Sequence, residues 1–395
     1  MLVPPPLGPY DVAVKIMPVT DPARSTDPFV STQPRPRQVR SRSSISSSPS
    51  KGRQLLLSAF LPIDIPHGDS PCPRTTVPYM TPRVAADYGN QAAEAGLPRD
   101  LYSLFGMEVC DYDKLFHHSG SSSSNRNTRP VKKYPVVLFT PGLQESRLLY
   151  GAGARSLASR GYVVITTDHP LEASFVEFPD GTFVQGRNLS SDDDSVKEMI
   201  VNVRTADLSF VIDQLHESTL MESLLGPHLS RSLDLEKIIV YGHSLGGAAA
   251  ASLARADKRV LGGIDLDGQI VEPVRSLGVD KPFLLAGRQN HSAEDGTWNQ
   301  FWPNLRGPRV EMAINGTAHA SFTDRPLLVS ALHLPEQALK GLEGLIGSLP
   351  GRCVESIVND VLVGFFDYTL YRKDGGLRSL LKKYAPNVSF PRINL

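Results

Sequence analysis

"KIIVYGHSLGGAAAASLARAD", Lys237 to Asp257, decides the fold. Lys237 to Tyr241 is a short β-branched run that reads as a buried strand. Leu245 to Ala256 is a run of small residues with helical spacing. Between them Gly242, Ser244 and Gly246 form a G-x-S-x-G frame. A strand, a very tight turn and a helix in that order make a nucleophile elbow, which lifts a serine out of the sheet at the positive end of a helix. The turn is strained, so the residues two places either side of the serine must be small. Gly242 and Gly246 meet that need, and Gly247 with the following alanines lets the helix lie close to the sheet. Ser244 is therefore the candidate nucleophile.

Outward from the elbow, strands alternate with helices. "YPVVLF" (134–139), "YVVITTDHP" (162–170), "RVLGGIDLD" (259–267), "PFLLAGR" (282–288) and "RVEMAING" (309–316) read as strands. "ESRLLYGAGARSLASRG" (145–161) and "SVKEMIVNVRTADLSFVIDQLHES" (195–218) read as helices, the second with Met199, Ile200, Val203, Leu208 and Val211 on its apolar side. Asp192 to Asp194 lack the spacing of a calcium loop and fit a negatively charged helix start. "GPYDVAVKIMP" (8–18) and "RQLLLSAFLP" (53–62) read as a hairpin. Glu336 to Tyr384 reads as helical, with Phe365, Phe366 and Tyr368 expected in the core rather than facing a membrane. The fold class expected is α/β, a mostly parallel sheet covered by helices on both faces, in an α/β-hydrolase arrangement. The chain reads as one domain over residues 1–395, with a disordered Ser/Pro/Arg-rich insertion at about 20–52 and a flexible Ser-rich loop at about 117–132.

Composition removes several function classes. Lys plus Arg number 41 and Asp plus Glu number 41, so no global charge draws the chain to nucleic acid. No apolar run is long enough to span a membrane. Neither C-x-x-C nor H-E-x-x-H occurs, and no metal or cofactor is expected. The N-terminus lacks a basic start and a continuous apolar segment, which favours the cytoplasm over export. Cys72 and Cys110 are a candidate bridge only in an exported chain, with buried free thiols the other reading. The sequons at Asn188, Asn315 and Asn387 matter only after export.

A serine nucleophile needs a base and an acid, in the chain order Ser, acid, His in this architecture. Asp267 sits at the C-terminal end of the strand after the elbow, where the catalytic groups of open α/β sheets gather. Asp265, two residues earlier, is its competitor or a buried supporting carboxylate. His319, after a strand and a Gly-containing turn, is the candidate base. His291 reads as exposed in a polar loop, His333 as a structural histidine and His169 as a pocket-lining residue. The His243 side chain is expected to point away from the nucleophile. The oxyanion donors are read as the N–H groups of Leu245 and of Leu143 in "PGLQ", where Pro141 has no N–H to give.

"FTPGLQESRLLY", "DHPLEASFVEFPDGT", "VRTADLSFVIDQL", "GHSLGGAAAAS", "GGIDLDG" and "GTAHASFTD", taken in order, resemble the platelet-activating factor acetylhydrolase family, especially its fungal members. The resemblance runs over nearly the whole chain. It implies a calcium-independent serine esterase acting on short or oxidised sn-2 acyl groups of glycerophospholipids, with peripheral contact to lipid aggregates. The family's nucleophile, acid and base map onto Ser244, Asp267 and His319, and its oxyanion donors onto Leu143 and Leu245. The family often has glycine where this chain has Gln144. A general carboxylesterase or polyester hydrolase is the alternative within enzymes. An inactive binding protein on the same scaffold is the alternative outside them, and the intact Ser, Asp and His argue against it.

Overall fold

The computed structural model describes residues 1–29, 52–64, 72–117, 131–189 and 192–395. Most of the two expected insertions, residues 30–51 and 118–130, lies outside the described residues. Among the described residues the central sheet has nine strands: β1 (Asp11–Asp21), β2 (Arg53–Ile63), β3 (Tyr134–Thr140), β4 (Val163–Asp168), β5 (Leu233–His243), β6 (Val260–Leu266), β7 (Phe283–Arg288), β8 (Arg309–Ile314) and β9 (Val388–Asn394). Their spatial order is β1-β2-β4-β3-β5-β6-β7-β8-β9. From β4 to β8 every pairing is parallel. The pairs β1–β2, β2–β4 and β8–β9 are antiparallel. This is the expected α/β-hydrolase sheet.

Alternation along the strands divides two cores. Val137, Phe139, Ile239 and Tyr241 face one side, with α1 (Pro82–Glu94), α2 (Gly151–Ala158) and α6 (Gly351–Tyr371). Val136, Leu138, Ile238 and Val240 face the other, with α3 (Asp194–His216) and α4 (Leu245–Ala256). Phe365 and Phe366 are fully buried and Tyr368 nearly so, as expected of core residues. The Asp193 carboxylate accepts from the Ser195 N–H at 2.8 Å and caps α3, so the acidic run starts that helix.

Some elements differ from the expectation. β1 continues through Pro18 to Asp21, because an edge strand tolerates proline. Helix α1, the small hairpin Arg74–Pro78/Gly106–Cys110 and strand β9 were not expected, although α1 buries Val84, Ala85, Tyr88 and Ala92 at helical spacing. Cys72 and Cys110 are joined in a disulfide with Cα atoms 5.6 Å apart, beside that hairpin, and Cys353 is free. His333 is exposed at φ 53°, not the satisfied structural histidine expected. Among the described residues no helix is long and apolar enough to cross a membrane, and no group of three His, Cys, Asp or Glu is placed to hold a metal.

Asp324 sits at the start of α2. It accepts from Tyr79 Oη at 2.8 Å and from the N–H groups of Ala152 and Gly153 at 2.7 and 3.0 Å. Burial outweighs these donors and pushes its carboxyl up to about 7. The folded protein then binds this proton more tightly than the unfolded chain, whose Asp titrates near pH 4. Stability from this group is full below about pH 4 and is lost as pH rises through about 7, by on the order of 4 kcal/mol. Thermal melts between pH 4.5 and 7.5 are expected to show a flatter slope for Asp324→Asn than for the native chain.

Candidate active site

The elbow is built as the sequence requires. β5 ends at His243, Ser244 has φ 56° and ψ −129°, and α4 begins at Leu245. A Cβ on Gly246 would lie 2.2 Å from the Thr140 carbonyl oxygen and 2.6 Å from that of Pro141. A Cβ on Gly242 would lie 2.1 Å from the Gly246 oxygen. These neighbours are backbone and cannot swing away. Ser244 is half-buried, and among the described residues no hydrogen bond engages its hydroxyl. Catalytic contacts of this kind are often long before substrate arrives.

Asp267 follows β6 at φ 55°, a left-handed conformation that aspartate tolerates and that turns its side chain out of the strand's alternation. Its Oδ2 accepts from His319 Nδ1 at 2.7 Å. The structure therefore joins the expected acid to the expected base. The His319 ring is half exposed, so its Nε2 edge is reachable from solvent. Asp267 has more partners than expected. Its Oδ1 accepts from the Arg288 N–H and from His291 Nδ1, both at 2.9 Å, and its Oδ2 also accepts from the Arg288 guanidinium at 2.5 Å. Burial pushes this carboxyl up, but the hydrogen bonds from His291, His319 and Arg288 hold it well below the usual carboxylate range.

His291 is thus corrected: it is 4% exposed and packs at a tilt against Trp298 with ring centroids 4.0 Å apart. Asp265 is the supporting carboxylate. It accepts from Trp298 Nε1 and from the Gly268 N–H, each at 3.0 Å. Burial pushes it well above the ordinary range, and the Asp267 charge adds to that. Two carboxyls two residues apart are so shifted in opposite directions, Asp267 down by its hydrogen-bond donors and Asp265 up by burial.

His243 is buried and packs against His319, ring centroids 4.6 Å apart. Its Nε2 faces the His319 carbonyl oxygen at 3.0 Å and so carries a hydrogen, and its Nδ1 meets Tyr150 Oη at 2.8 Å. Burial pushes its pKa down. His169, expected to line the pocket, is buried. It donates from Nδ1 to Asp207 at 2.7 Å and accepts at Nε2 from the Thr140 hydroxyl at 3.0 Å, beneath the end of β3.

The loop after β3 holds the other expected oxyanion donor. The Gly142 N–H donates to Tyr150 Oη at 3.1 Å and the Gln144 N–H to Glu172 at 2.9 Å. Among the described residues, the N–H groups of Leu143 and Leu245 have no hydrogen-bond acceptor. Gln144 adopts φ 60°, a conformation that glycine takes at no steric cost, and its side-chain amide donates to the Arg187 carbonyl at 3.0 Å. Arg204 and Glu172, both buried, pair beneath this loop. Neither was singled out in the sequence, although a charge at Arg204 on the apolar stripe of α3 was a visible signal.

The family model described as "Platelet-activating factor acetylhydrolase, isoform II" matches residues 115–343. This chain belongs to that family. Among members and relatives, an Arthroderma benhamiae protein named "Probable 1-alkyl-2-acetylglycerophosphocholine esterase" is 29% identical over 98% of this chain and 93% of its own length. The platelet-activating factor acetylhydrolase of Cavia porcellus is 26% identical over 51% of this chain and 50% of its own. A solved structure, a ferulic acid esterase from Streptomyces cinnamoneus, superposes with a TM-score of 0.71 at 26% identity, covering 99% of both chains. Family membership and these neighbours make this platelet-activating factor acetylhydrolase relative a carboxylic ester hydrolase.

Asp267→Asn is expected to lower kcat by about 10⁴-fold through loss of the correct imidazole tautomer. Asp265→Asn leaves the Asp267–His319 hydrogen bond in place, because Asp265 bonds to Trp298 and Gly268 instead, and is expected to keep most turnover. Steady-state kinetics of the two variants check the assignment, and the reverse ranking contradicts it.

Proposed function

We propose that this chain hydrolyses the sn-2 short-chain or oxidised acyl ester of glycerophospholipids, through an acyl-enzyme on Ser244. The observation that carries the reading is the 2.7 Å hydrogen bond from His319 Nδ1 to a buried, ionised Asp267, at the same sheet edge as the strained Ser244. His319 Nε2 takes the hydroxyl proton as Ser244 Oγ bonds to the ester carbonyl carbon. The carbonyl oxygen becomes an oxyanion and accepts from the Leu143 and Leu245 N–H groups. The C–O bond to the alcohol then breaks and His319 protonates the leaving oxygen. Water, deprotonated by His319, cleaves the acyl-enzyme and restores Ser244.

The described residues act as one α/β-hydrolase unit in this reading. Contact with lipid aggregates is part of it. Helix α5 (Glu336–Ile346) keeps Leu339 and Leu345 exposed, and its last turn is tied to the His319 segment by the Ser321 hydroxyl, which donates to the Ile346 carbonyl at 2.7 Å. The Cys72–Cys110 bridge supports an oxidising compartment over the cytoplasm. The similarity to a ferulic acid esterase over the full length favours a second reading, a general carboxylesterase.

Ser244→Ala is expected to lower kcat by roughly 10⁴-fold or more on a short-chain nitrophenyl ester, and near-normal turnover would refute the nucleophile. With that variant as blank, kcat/KM for an sn-2 acetyl phospholipid is expected to exceed that for a simple acetyl ester. Equal values favour the general carboxylesterase.

A further inference from the structure

We infer that Arg204 is a positioning residue for the oxyanion site: by binding the Gly142 carbonyl it aims and polarises the Leu143 N–H. The inference rests on the reading of Ser244 as nucleophile and concerns how one of its oxyanion donors is made.

The Leu143 N–H shares one peptide unit with the Gly142 C=O. Among the described residues the cis peptides are Glu272–Pro273 and Ala385–Pro386, so this unit is trans. In a planar trans peptide the C=O and N–H point in opposite directions. Arg204 Nη2 donates to the Gly142 oxygen at 2.9 Å from beneath the loop, which sends the Leu143 N–H the other way. The neighbouring peptides are pinned too. The Gly142 N–H is fixed on Tyr150 Oη, and Gln144, at φ 60°, turns its N–H back down onto Glu172. Leu143 is left as the donor of this loop whose N–H has no internal acceptor among the described residues.

Arg204 is fully engaged. Nε donates to Glu172 Oε2 at 2.7 Å and Nη2 to Glu172 Oε1 at 2.6 Å. Nη1 donates to the Thr140 hydroxyl at 3.2 Å and to the Pro141 carbonyl. With the bond to Gly142, all five guanidinium N–H groups are used. A cation on the carbonyl oxygen draws electron density through the amide and makes its N–H a stronger donor. Lysine has three donors on a tetrahedral head and cannot serve this planar set of acceptors. The cation is 1% exposed, and so is Glu172, so solvent does not screen the pair.

Two variants test the inference. Arg204→Lys keeps the charge and loses the fork. Arg204→Met with Glu172→Leu removes both charges together, so that neither is left buried and unpaired, and such exchanges commonly keep the fold. Each is measured on a nitrophenyl acetate for kcat and KM, with active sites counted by a fluorophosphonate. Each is also measured for affinity toward a trifluoromethyl ketone, whose serine adduct places an oxyanion in the same hole. Removal of a whole oxyanion donor costs about 10²–10³-fold, so misaiming one is expected to lower kcat per active site about 10- to 100-fold. KM is expected to stay within about twofold, and ketone affinity to fall in step with kcat/KM. A lowered melting temperature with unchanged kcat per active site, or a loss confined to KM, overturns the inference. Failure of the underlying reading looks different: Ser244→Ala would keep its turnover and the ketone would not bind the native chain.

Discussion

Gly246 lies so close to the carbonyls of Thr140 and Pro141 that no side chain fits between them. That contact locks the elbow of β5 and α4 onto the end of β3. β3 is also the strand that launches the oxyanion loop. One approach of backbone to backbone therefore sets the position of Ser244, the proposed nucleophile, and of Leu143, a proposed oxyanion donor, together. The strained Ser244 conformation, at φ 56°, persists because the packing on both flanks leaves it no alternative. The same Pro141 carbonyl accepts from Arg204, so the contact continues downward into the charged layer beneath the loop.

That layer is unusual in composition for a protein interior. Arg53 holds Asp207 through both carboxylate oxygens at 2.6 Å, Asp207 holds His169, His169 meets Thr140, and Thr140 meets Arg204. Buried ion pairs are weak sources of net stability, because desolvation cancels much of the attraction. Their effect here is geometric. Each charged group has partners on both sides, and the chain of contacts ends on the backbone that carries the proposed oxyanion donor, Leu143. On the other side of the nucleophile, Asp267 is held by four donors, two from Arg288 and one each from His291 and His319. An acid fixed this way presents a fixed lone pair to His319, which holds the proposed base in the tautomer whose Nε2 can accept a proton.

Much of this was legible in the residues. The parallel sheet followed from β-branched runs alternating with helical spacing, and the elbow from glycines flanking a serine between a strand and a helix. Asp267 and His319 followed from chain order. Three kinds of feature were missed. Helix α1 and strand β9 were overlooked although α1 carries its apolar residues on one helical face, Val84, Ala85, Tyr88 and Ala92, behind a proline in its first turn. His291 was read as exposed because its neighbours are polar, yet a single helical turn, His291–Glu294, folds it onto Asp267 and Trp298. His243 was placed by its position in the elbow and His169 by its position at a strand end, and neither position carries information about partners distant in the chain. Arg204 and Asp207 fall on the stripe of α3 defined by Ile200 and Leu208, where a charge must find a buried partner. That partner, on another element, is what a single sequence does not name.

The account stands on the Ser244 oxygen forming a covalent bond to the acyl group. The most direct measurement is rapid acid quench of the native protein during turnover of a short-chain nitrophenyl ester, followed by digestion and mass spectrometry of the peptides. The account predicts one acyl group, carried on the peptide containing Ser244 and fragmenting to that side chain. An acyl group found on another residue, or sustained turnover from a Ser244 that never becomes acylated while the chemistry is rate-limiting at the second step, would contradict it.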